Sequence, residues 1–186
     1  QSVTYDTNAQ KVLIAYQDYG NSGYGTAIAG TVNGTSLSFG TATVFESANT
    51  TFIASVYEPS HQATVIAFTD NGYSTFLGVV AATITGTSVS FGTTIHDTLQ
   101  SSHKAIVYDT NAQRFVVAYK SSYDTKGYIE IFSLSGTTLT KALSSGRSTF
   151  YNSSLNRPSL AYDSAQQKVV IVYGNSFNAQ GEAIVG

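Results

Sequence analysis

The chain has 186 residues and a formal net charge of -2, from nine Lys and Arg against eleven Asp and Glu. It contains no Cys, which excludes disulfides and thiolate chemistry, and its charge balance excludes the basic surface that a nucleic-acid partner needs. No apolar run approaches the roughly 20 residues of a membrane span.

The first quarter of the chain predicts four short strands. Ser2–Tyr5 is followed by Val12–Tyr16, a continuous apolar run that is typical of a strand buried on both faces. Ala27–Val32 is also mostly apolar, whereas Leu37–Phe39 alternates with Ser, as a half-exposed edge strand does. Asn33-Gly34 between the last two strands is a two-residue hairpin signal.

The same order of strands returns in the second quarter. Phe52–Tyr57 and Thr64–Phe68 correspond to the first two strands, and Leu77–Ile84 and Val89–Phe91 to the last two. Gly86 stands at the hairpin between the third and fourth strands. The conserved order within the chain indicates an internal repeat.

The second half of the chain continues the repeat and stops early. Ala105–Tyr108 and Phe115–Tyr119 are the first two strands of a third copy, and Leu134–Leu139 carries its hairpin signal. Ser159–Tyr162 and Val169–Tyr173 begin a fourth copy. Residues 181–186 match residues 25–30, and no fourth strand follows them.

Aligned tyrosines define the period. Tyr5, Tyr57, Tyr108 and Tyr162 are 52, 51 and 54 residues apart, and the hexapeptide Tyr-Asp-Thr-Asn-Ala-Gln begins at the first and at the third of them. Each tyrosine precedes an acid, and an acid that is present in every copy is more typical of a turn former than of a catalyst. The four predicted turn-forming acids are Asp6, Glu58, Asp109 and Asp163.

These patterns predict an all-β, β-propeller-like array of four four-stranded repeats of about 52 residues, with the outer strand of the last repeat missing and 15 strands in total. The array forms a single repeat domain with approximate repeat boundaries at 1–49, 50–101, 102–154 and 155–186. A stack of β-sandwich modules is an alternative, although such modules are usually about 100 residues long. A β-solenoid normally has a much shorter repeat.

Two segments carry a family resemblance. Arg157–Asp163 followed by Lys168–Tyr173 resembles the inner strand pair in the blades of sialidase-type propellers. The whole unit, ending in Gly-Thr-Ser-x-Ser-Phe-Gly-Thr, resembles tandem propeller-like repeats of bacterial and phage surface proteins. The resemblance implies the fold. It does not extend to hydrolase activity, because the sialidase motif Ser-x-Asp-x-Gly-x-Thr-Trp is absent and the chain has only three Arg.

Residues with catalytic or metal-binding chemistry show no functional spacing. Glu130 interrupts an apolar strand, and an outward-facing position accounts for it. The histidines His61, His96 and His103 are not spaced as metal ligands, so we expect them at exposed loops or strand edges. Without a unique carboxylate pair, we predict that the protein is not an enzyme and has no metal site.

The loops between the second and third strands of each copy are the candidate ligand-binding sites. They vary while the strands beside them agree, and aromatic rings next to amides and acids suit sugar recognition. Packing of these rings between repeats is an equally good alternative. Asp-Asn-Gly and Asp-Tyr-Gly-Asn in two loops allow calcium, although neither completes an EF-hand loop, and no other cofactor is expected. The candidate residues are Tyr19, Asn21, Tyr24, Asp70, Asn71, Tyr73, Tyr123, Asp124, Phe177 and Asn178.

Composition and the chain's last strand guide the functional prediction. Low charge, abundant Ser and Thr (24 of each), and the absence of Met even at position 1 predict a processed protein at an extracellular or virion surface. We predict a non-catalytic module for adhesion or binding to glycans or another cell-surface polymer. The alternative is a structural subunit of an extracellular fibre or appendage, assembled through the open strand edge at Ala183, Ile184 and Val185. The N-glycosylation sequons lie at Asn33, Asn49 and Asn152.

Overall fold

The computed structural model describes residues 1–186 as an all-β chain with 69% of its residues in strands and 2% in helix. One short 3-10 turn spans Tyr19–Asn21, and no helix has the length and hydrophobicity that a membrane span requires. The sixteen strands are β1 Ser2–Asp6, β2 Lys11–Asp18, β3 Tyr24–Asn33, β4 Ser36–Phe39, β5 Thr43–Glu58, β6 Ala63–Asp70, β7 Phe76–Thr85, β8 Ser88–Phe91, β9 Ile95–Asp109, β10 Arg114–Ser121, β11 Gly127–Ser135, β12 Thr138–Lys141, β13 Ser148–Tyr151, β14 Leu155–Asp163, β15 Lys168–Asn175 and β16 Gln180–Val185.

All strand pairs are antiparallel, and two long strands join successive groups. Thirteen strands form one sheet, while β14, β15 and β16 form a separate sheet. β5 pairs with β3 along its first half and with β6 along its second half, and β9 does the same between β7 and β10. The all-β prediction is confirmed. The count of 15 strands is wrong, because the short β13 pairs with β11 as an additional strand. The polar segment Thr43–Asn49 was not predicted either, but it extends β5 and adds no strand.

The recurrent acids form turns, as predicted. Each accepts two backbone N–H groups from residues two and three positions ahead, in the connections β1–β2, β5–β6, β9–β10 and β14–β15. The last residue of each turn has a positive φ of 53° to 55°, in the left-handed region. These four residues are Gln10, Gln62, Gln113 and Gln167.

Three apolar clusters form the core where neighbouring groups of strands pack face to face. One lies between the β2–β3 and β6–β7 pairs, a second between β6–β7 and β10–β11, and a third between β10 and β15. β6 is buried at every position, which agrees with its predicted burial on both faces. Val116, Val117 and Ala118 of β10 are buried as well.

Burial of the equivalent strand fails at the end of the array. In β15, Ile171 is buried against the third cluster, but Val172 is 46% exposed. Val169–Tyr173 is the counterpart of the apolar runs predicted to be buried on both faces, and this expectation is wrong at Val172. The apolar run of β15 has a neighbouring sheet on one face only, so alternate side chains point to solvent.

Candidate functional site

The candidate loops form a continuous border of the molecule, which we call the rim. It consists of the connections β2–β3, β6–β7, β10–β11 and β15–β16. The N–H of Thr50 donates to Gly23 O in the first of these loops, and the N–H of Asn71 in the second donates to Asn49 O. Two loops therefore hold the same segment of β5 between them.

The same bracing recurs along the rest of the rim. Ser101 donates to Thr75 O, and Ser122 donates to Gln100 O. Leu155 donates to Thr125 O, and Ser176 donates to Ser154 O, which completes three equivalent clamps. Backbone bonds thus fix the position of each loop relative to the next.

Each rim loop also has a side chain that accepts its backbone N–H groups. Asp18 accepts from Gly20, and Asp70 accepts from Gly72 and Tyr73 through Oδ1. Ser121 and Asn175 do the same in the third and fourth loops. The two acids that suggested calcium therefore serve as turn caps through these oxygens.

Aromatic side chains project from every rim loop. The exposed fractions are 83% for Tyr19, 56% for Tyr73, 80% for Tyr123 and 89% for Phe177, so these four rings do not pack between groups of strands. Of the other candidates, Asn21, Asn71 and Asn178 are exposed, Tyr24 is half-buried, and Asp124 accepts a hydrogen bond from the Tyr128 hydroxyl at 2.7 Å. The candidates are distributed along the rim, one group to each loop.

The second loop brings its candidate residues next to two further ionisable side chains, Glu46 and His96. One carboxylate oxygen of Glu46, one of Asp70 and Nε2 of His96 all lie within 4.8 Å of one another. His96 Nε2 is 3.0 Å from Asp70 Oδ2 and 3.7 Å from Glu46 Oε2, and the Tyr73 ring packs on the imidazole with centroids 4.9 Å apart. We call these four residues the rim cluster.

The rim cluster contains two carboxylates in unlike environments. Burial raises the pKa of Glu46, and the nearby Asp70 carboxylate raises it further, against the opposing effect of His96. Asp70 is buried and already accepts two backbone N–H groups, whereas the Glu46 side chain is 18% exposed. Glu46, with its raised pKa and partly exposed side chain, can therefore hold a proton and deliver it to a bound molecule.

The set of Glu46, Asp70 and His96 also has the ligand types that a divalent cation uses. Sequence reasoning missed this arrangement and placed His96 at an exposed edge, because the three residues are 24 and 26 positions apart and come from β5, β6 and β9. Glu46 lies in the half of β5 that pairs with β3, and His96 lies in the half of β9 that pairs with β7, so they meet only through the contact between successive groups of strands. Only the polar interruption of β5 by Glu46 was visible in the sequence.

A second carboxylate pair lies in the interior. Lys141 Nζ is 3.0 Å from an oxygen of Asp97 and 3.0 Å from an oxygen of Glu130, and Arg147 Nη1 donates to both oxygens of Asp97 at 3.0 and 2.9 Å. The Tyr119 hydroxyl lies 3.2 Å from each carboxylate. We call these five residues the buried cluster.

Glu130 is wholly buried in this cluster, so its predicted outward-facing position is wrong. The apolar strand β11 can hold this acidic residue because Lys141 Nζ and the Tyr119 hydroxyl contact its carboxylate. Burial raises its pKa to about 8, and the neighbouring Asp97 adds to the shift. Burial opposes ionisation of Asp97 as well, but hydrogen bonds from Glu130 and Lys141 outweigh it and hold the Asp97 pKa well below its usual range.

The remaining sequence-predicted positions lie at the surface. Asn33, Asn49 and Asn152 of the sequons are exposed, and Asn49 Oδ1 accepts a hydrogen bond from Asn71 at 2.6 Å. The strand edge at Ala183–Val185 belongs to β16, which pairs only with β15.

Comparison with known proteins supports the fold. No family model matches the sequence, and no curated protein matches it. Among solved structures, the chain is similar to a variant of the exo-β-1,3-galactanase from Phanerochaete chrysosporium with β-1,3-galactotriose, with a TM-score of 0.53 and 13% identity over 89% of this chain. The match covers 41% of that chain, so this chain spans less than half its length. At this identity the likeness establishes an all-β, propeller-like fold.

The same comparison corrects the functional prediction. The chain was expected to be a non-catalytic adhesion or glycan-binding module, with a fibre subunit as the alternative, and not to be an enzyme. These predictions are contradicted, because the structurally similar protein is a galactanase, an enzyme that acts on a glycan. The glycan partner predicted from the rim aromatics agrees with this neighbour.

Proposed function

We propose that the protein hydrolyses a glycosidic bond at the rim cluster. The observation that carries the proposal is the pair of carboxylates, Glu46 and Asp70, whose oxygens lie within 4.8 Å beside an exposed tyrosine. Glycosidases that retain anomeric configuration place their two carboxyl groups about 5–5.5 Å apart. The separation at the rim favours this class over inverting enzymes, which need room for a water between the carboxyl groups.

The two carboxylates have different roles in this proposal. Glu46, whose pKa is raised, protonates the oxygen of the departing sugar. Asp70, held by the N–H groups of Gly72 and Tyr73 and by His96, attacks the anomeric carbon as the sugar leaves. Water activated by the deprotonated Glu46 then releases the bound sugar and regenerates both carboxyl groups.

Tyr73 provides the sugar contact. Its ring is 56% exposed and is held against His96 and Phe76, with centroid distances of 4.9 and 5.6 Å. A ring fixed on one side and open on the other can stack on the apolar face of a sugar. The open rings of Tyr19 and Tyr123 on neighbouring loops extend the same surface along the rim.

Release of sugar from defined oligosaccharides tests the proposal. We expect cleavage within a panel that begins with β-1,3-linked galacto-oligosaccharides, detected by mass spectrometry of the products. Glu46→Gln should lower the rate by about 10²- to 10⁴-fold, because general acid catalysis contributes that much. Glu182→Gln, a change of an acid in β16, serves as the matched control and should leave the rate unchanged.

Two outcomes would contradict the proposed hydrolysis. One is a folded wild-type protein that releases no sugar from any member of a panel covering the common linkages. The other is a cleavage rate that Glu46→Gln leaves unchanged, which would assign the reaction to other residues.

We further propose that the chain is organised as four blade-like units with the boundaries predicted from the sequence. The equivalent rim clamps at Thr50, Ser101 and Leu155 support this division, as do the four turns that end in Gln. An extracellular or virion-surface location, and association of copies through the unpaired edge of β16, are proposed on the composition and on the pairing of β16 with β15 alone.

A further inference from the structure

Three strands carry the same irregularity at equivalent positions. The pairing of β5 with β6 skips Phe52 and Ile53, the pairing of β9 with β10 skips His103, and the pairing of β14 with β15 skips Arg157 and Pro158. Phe52, His103 and Arg157 have φ values of 48°, 34° and 39°. Side chains other than glycine rarely adopt this left-handed backbone, and such strained bulges concentrate at functional sites.

The bulges converge on one pocket. β9 packs between β5 and β14, so the three irregular positions are neighbours in space. Phe52, His103 and Arg157 line a cavity of about 290 Å³ together with Ile53, Lys104 and Pro158. Its size is close to the lower end of the range for small-molecule sites, about 300–1,000 Å³. We call it the bulge pocket.

The bulge pocket is strongly cationic. Lys104 and Arg157 line it, and Lys120 is close enough to act on the charge of His103. The chain has only nine Lys and Arg, and none of the seven ion pairs in the structure includes these three. Glu182 lines an adjoining cavity with Arg157, but its carboxylate accepts a hydrogen bond from Asn175 at 2.7 Å. No carboxylate thus lies within ion-pair distance of the three cations.

The excess of positive charge acts on His103. Its Nδ1 atom is buried and has no hydrogen-bond partner. Burial lowers its pKa, and the cations Arg157, Lys120 and Lys104 lower it further. Burial also lowers the pKa of Lys104, whose Nζ bonds to the Thr69 hydroxyl. A cluster of cations without an anion costs free energy that a bound anion recovers.

An aromatic wall completes the pocket. The Phe52 ring is 44% exposed, packs against the His103 ring at a 45° tilt with centroids 4.5 Å apart, and has Lys104 Nζ 5.7 Å from its centroid. The pocket thus combines a fixed ring face with fixed positive charges. A ligand with one apolar face and one anionic group satisfies both features.

We propose that the bulge pocket binds an acidic sugar residue through its carboxylate or sulfate group. Arg157 and Lys104 contact the anionic group, and the Phe52 ring packs on the face of the sugar. This site is separate from the rim cluster, and the inference does not depend on hydrolysis there.

Binding measured by NMR on isotopically labelled full-length protein tests the proposal. The probes are methyl galacturonide, galactose 6-sulfate, neutral methyl galactoside and inorganic sulfate. We expect the two acidic sugars to shift the His103 ring resonances and raise its pKa, and the neutral galactoside to leave them unchanged. Added salt should weaken binding, since the contact is ionic.

Two variants separate the pocket from the rest of the surface. Arg157→Gln should weaken binding of the acidic sugars by about 10-fold or more, which matches the loss of a charge-assisted hydrogen bond. Arg114→Gln is the control, because Arg114 is bonded to the carbonyls of Ala112 and Gln113 in the β9–β10 turn. It should bind as the wild type does.

Several results would overturn the inference. Inorganic sulfate that shifts His103 as strongly as galactose 6-sulfate would show an anion site without sugar recognition. Equal binding of neutral and acidic galactosides, or binding that Arg157→Gln does not weaken, would show that charge has no role. Absence of any shift by either acidic sugar at millimolar concentration would also contradict it. Because these measurements do not involve cleavage, they stand apart from failure of the proposed hydrolysis.

Discussion

The two carboxylate pairs of this protein illustrate opposite uses of the same chemical groups. Asp97 and Glu130 lie in the interior, where Lys141, Arg147 and Tyr119 occupy their polar atoms. Glu46 and Asp70 lie at the rim, where the side chain within ion-pair distance of both is the single imidazole of His96. A raised glutamate pKa occurs in each pair, so a perturbed pKa does not by itself identify a site.

Access and the count of counter-charges separate the two pairs. Glu130 is wholly buried, whereas the Glu46 side chain is 18% exposed. The buried cluster has two cations for two carboxyl groups, and it therefore holds strands together. The rim cluster leaves charge unneutralised at the surface, which is the arrangement that a substrate can use.

The largest effect is expected from removal of one partner in the buried cluster. Asp97→Ala leaves Arg147 and part of the charge on Lys141 without a counter-ion, and breaking a buried pair in this way costs about 3–5 kcal/mol. Urea unfolding should show this loss in the free energy of unfolding. Asp163→Ala, which removes an exposed turn acid, is the comparison and should cost about 1 kcal/mol. Equal losses of stability in the two variants would contradict the prediction, because Asp97 would then contribute no more than an exposed turn acid.

The next effect is a pH dependence that belongs to Glu130. Its pKa is about 8 in the folded protein against 4.5 for an exposed glutamate, so between these values the folded state binds a proton that the unfolded state has released. Stability from this group is complete below pH 4.5 and is lost as the pH rises towards 8, by up to about 1.4 kcal/mol per pH unit. Unfolding measured from pH 4.5 to 8 should show the decline.

Glu130→Gln provides the test of that assignment. Glutamine does not titrate, so the variant should lose most of the slope while other groups keep their contributions. A wild type and a variant with the same slope over this range would assign the pH dependence to other residues, such as the histidines.

The sequence predicted the fold class and the turns more fully than the two carboxylate clusters. The period of the tyrosines and the apolar runs identified most strands, and the recurrent acid after each tyrosine identified the turn cap. These features are local, so they are visible in short stretches of sequence. The first halves of β5 and β9 were not separable from loops, because they pair with β3 and β7, in a different group of strands from the second halves.

Neither cluster could be assembled from the sequence, since each depends on pairing at long range. Asp97 and Glu130 are 33 positions apart. Asp97 lies in the first half of β9, which pairs with β7, whereas Glu130 of β11 pairs with Val117 of β10. Glu130 looked like a surface residue because charge in an apolar strand usually faces solvent. Its burial depends on Lys141 of β12 and Tyr119 of β10, whose side chains contact its carboxylate.

The smallest expected effect is on stability at the rim, and it separates function from structure. Burial and Asp70 raise the pKa of Glu46, so its ionisation lowers stability as the pH rises through that pKa. Glu46→Gln removes this cost, and the free energy of unfolding at pH 7 should be unchanged or higher by up to about 1 kcal/mol. His96→Gln should lower the free energy of unfolding, because it removes the group that offsets the repulsion between the two carboxylates.

A loss of more than about 2 kcal/mol in Glu46→Gln would show that the rim pair, like the buried pair, holds strands together. Loss of sugar release with retained stability is the result that assigns Glu46 to the reaction.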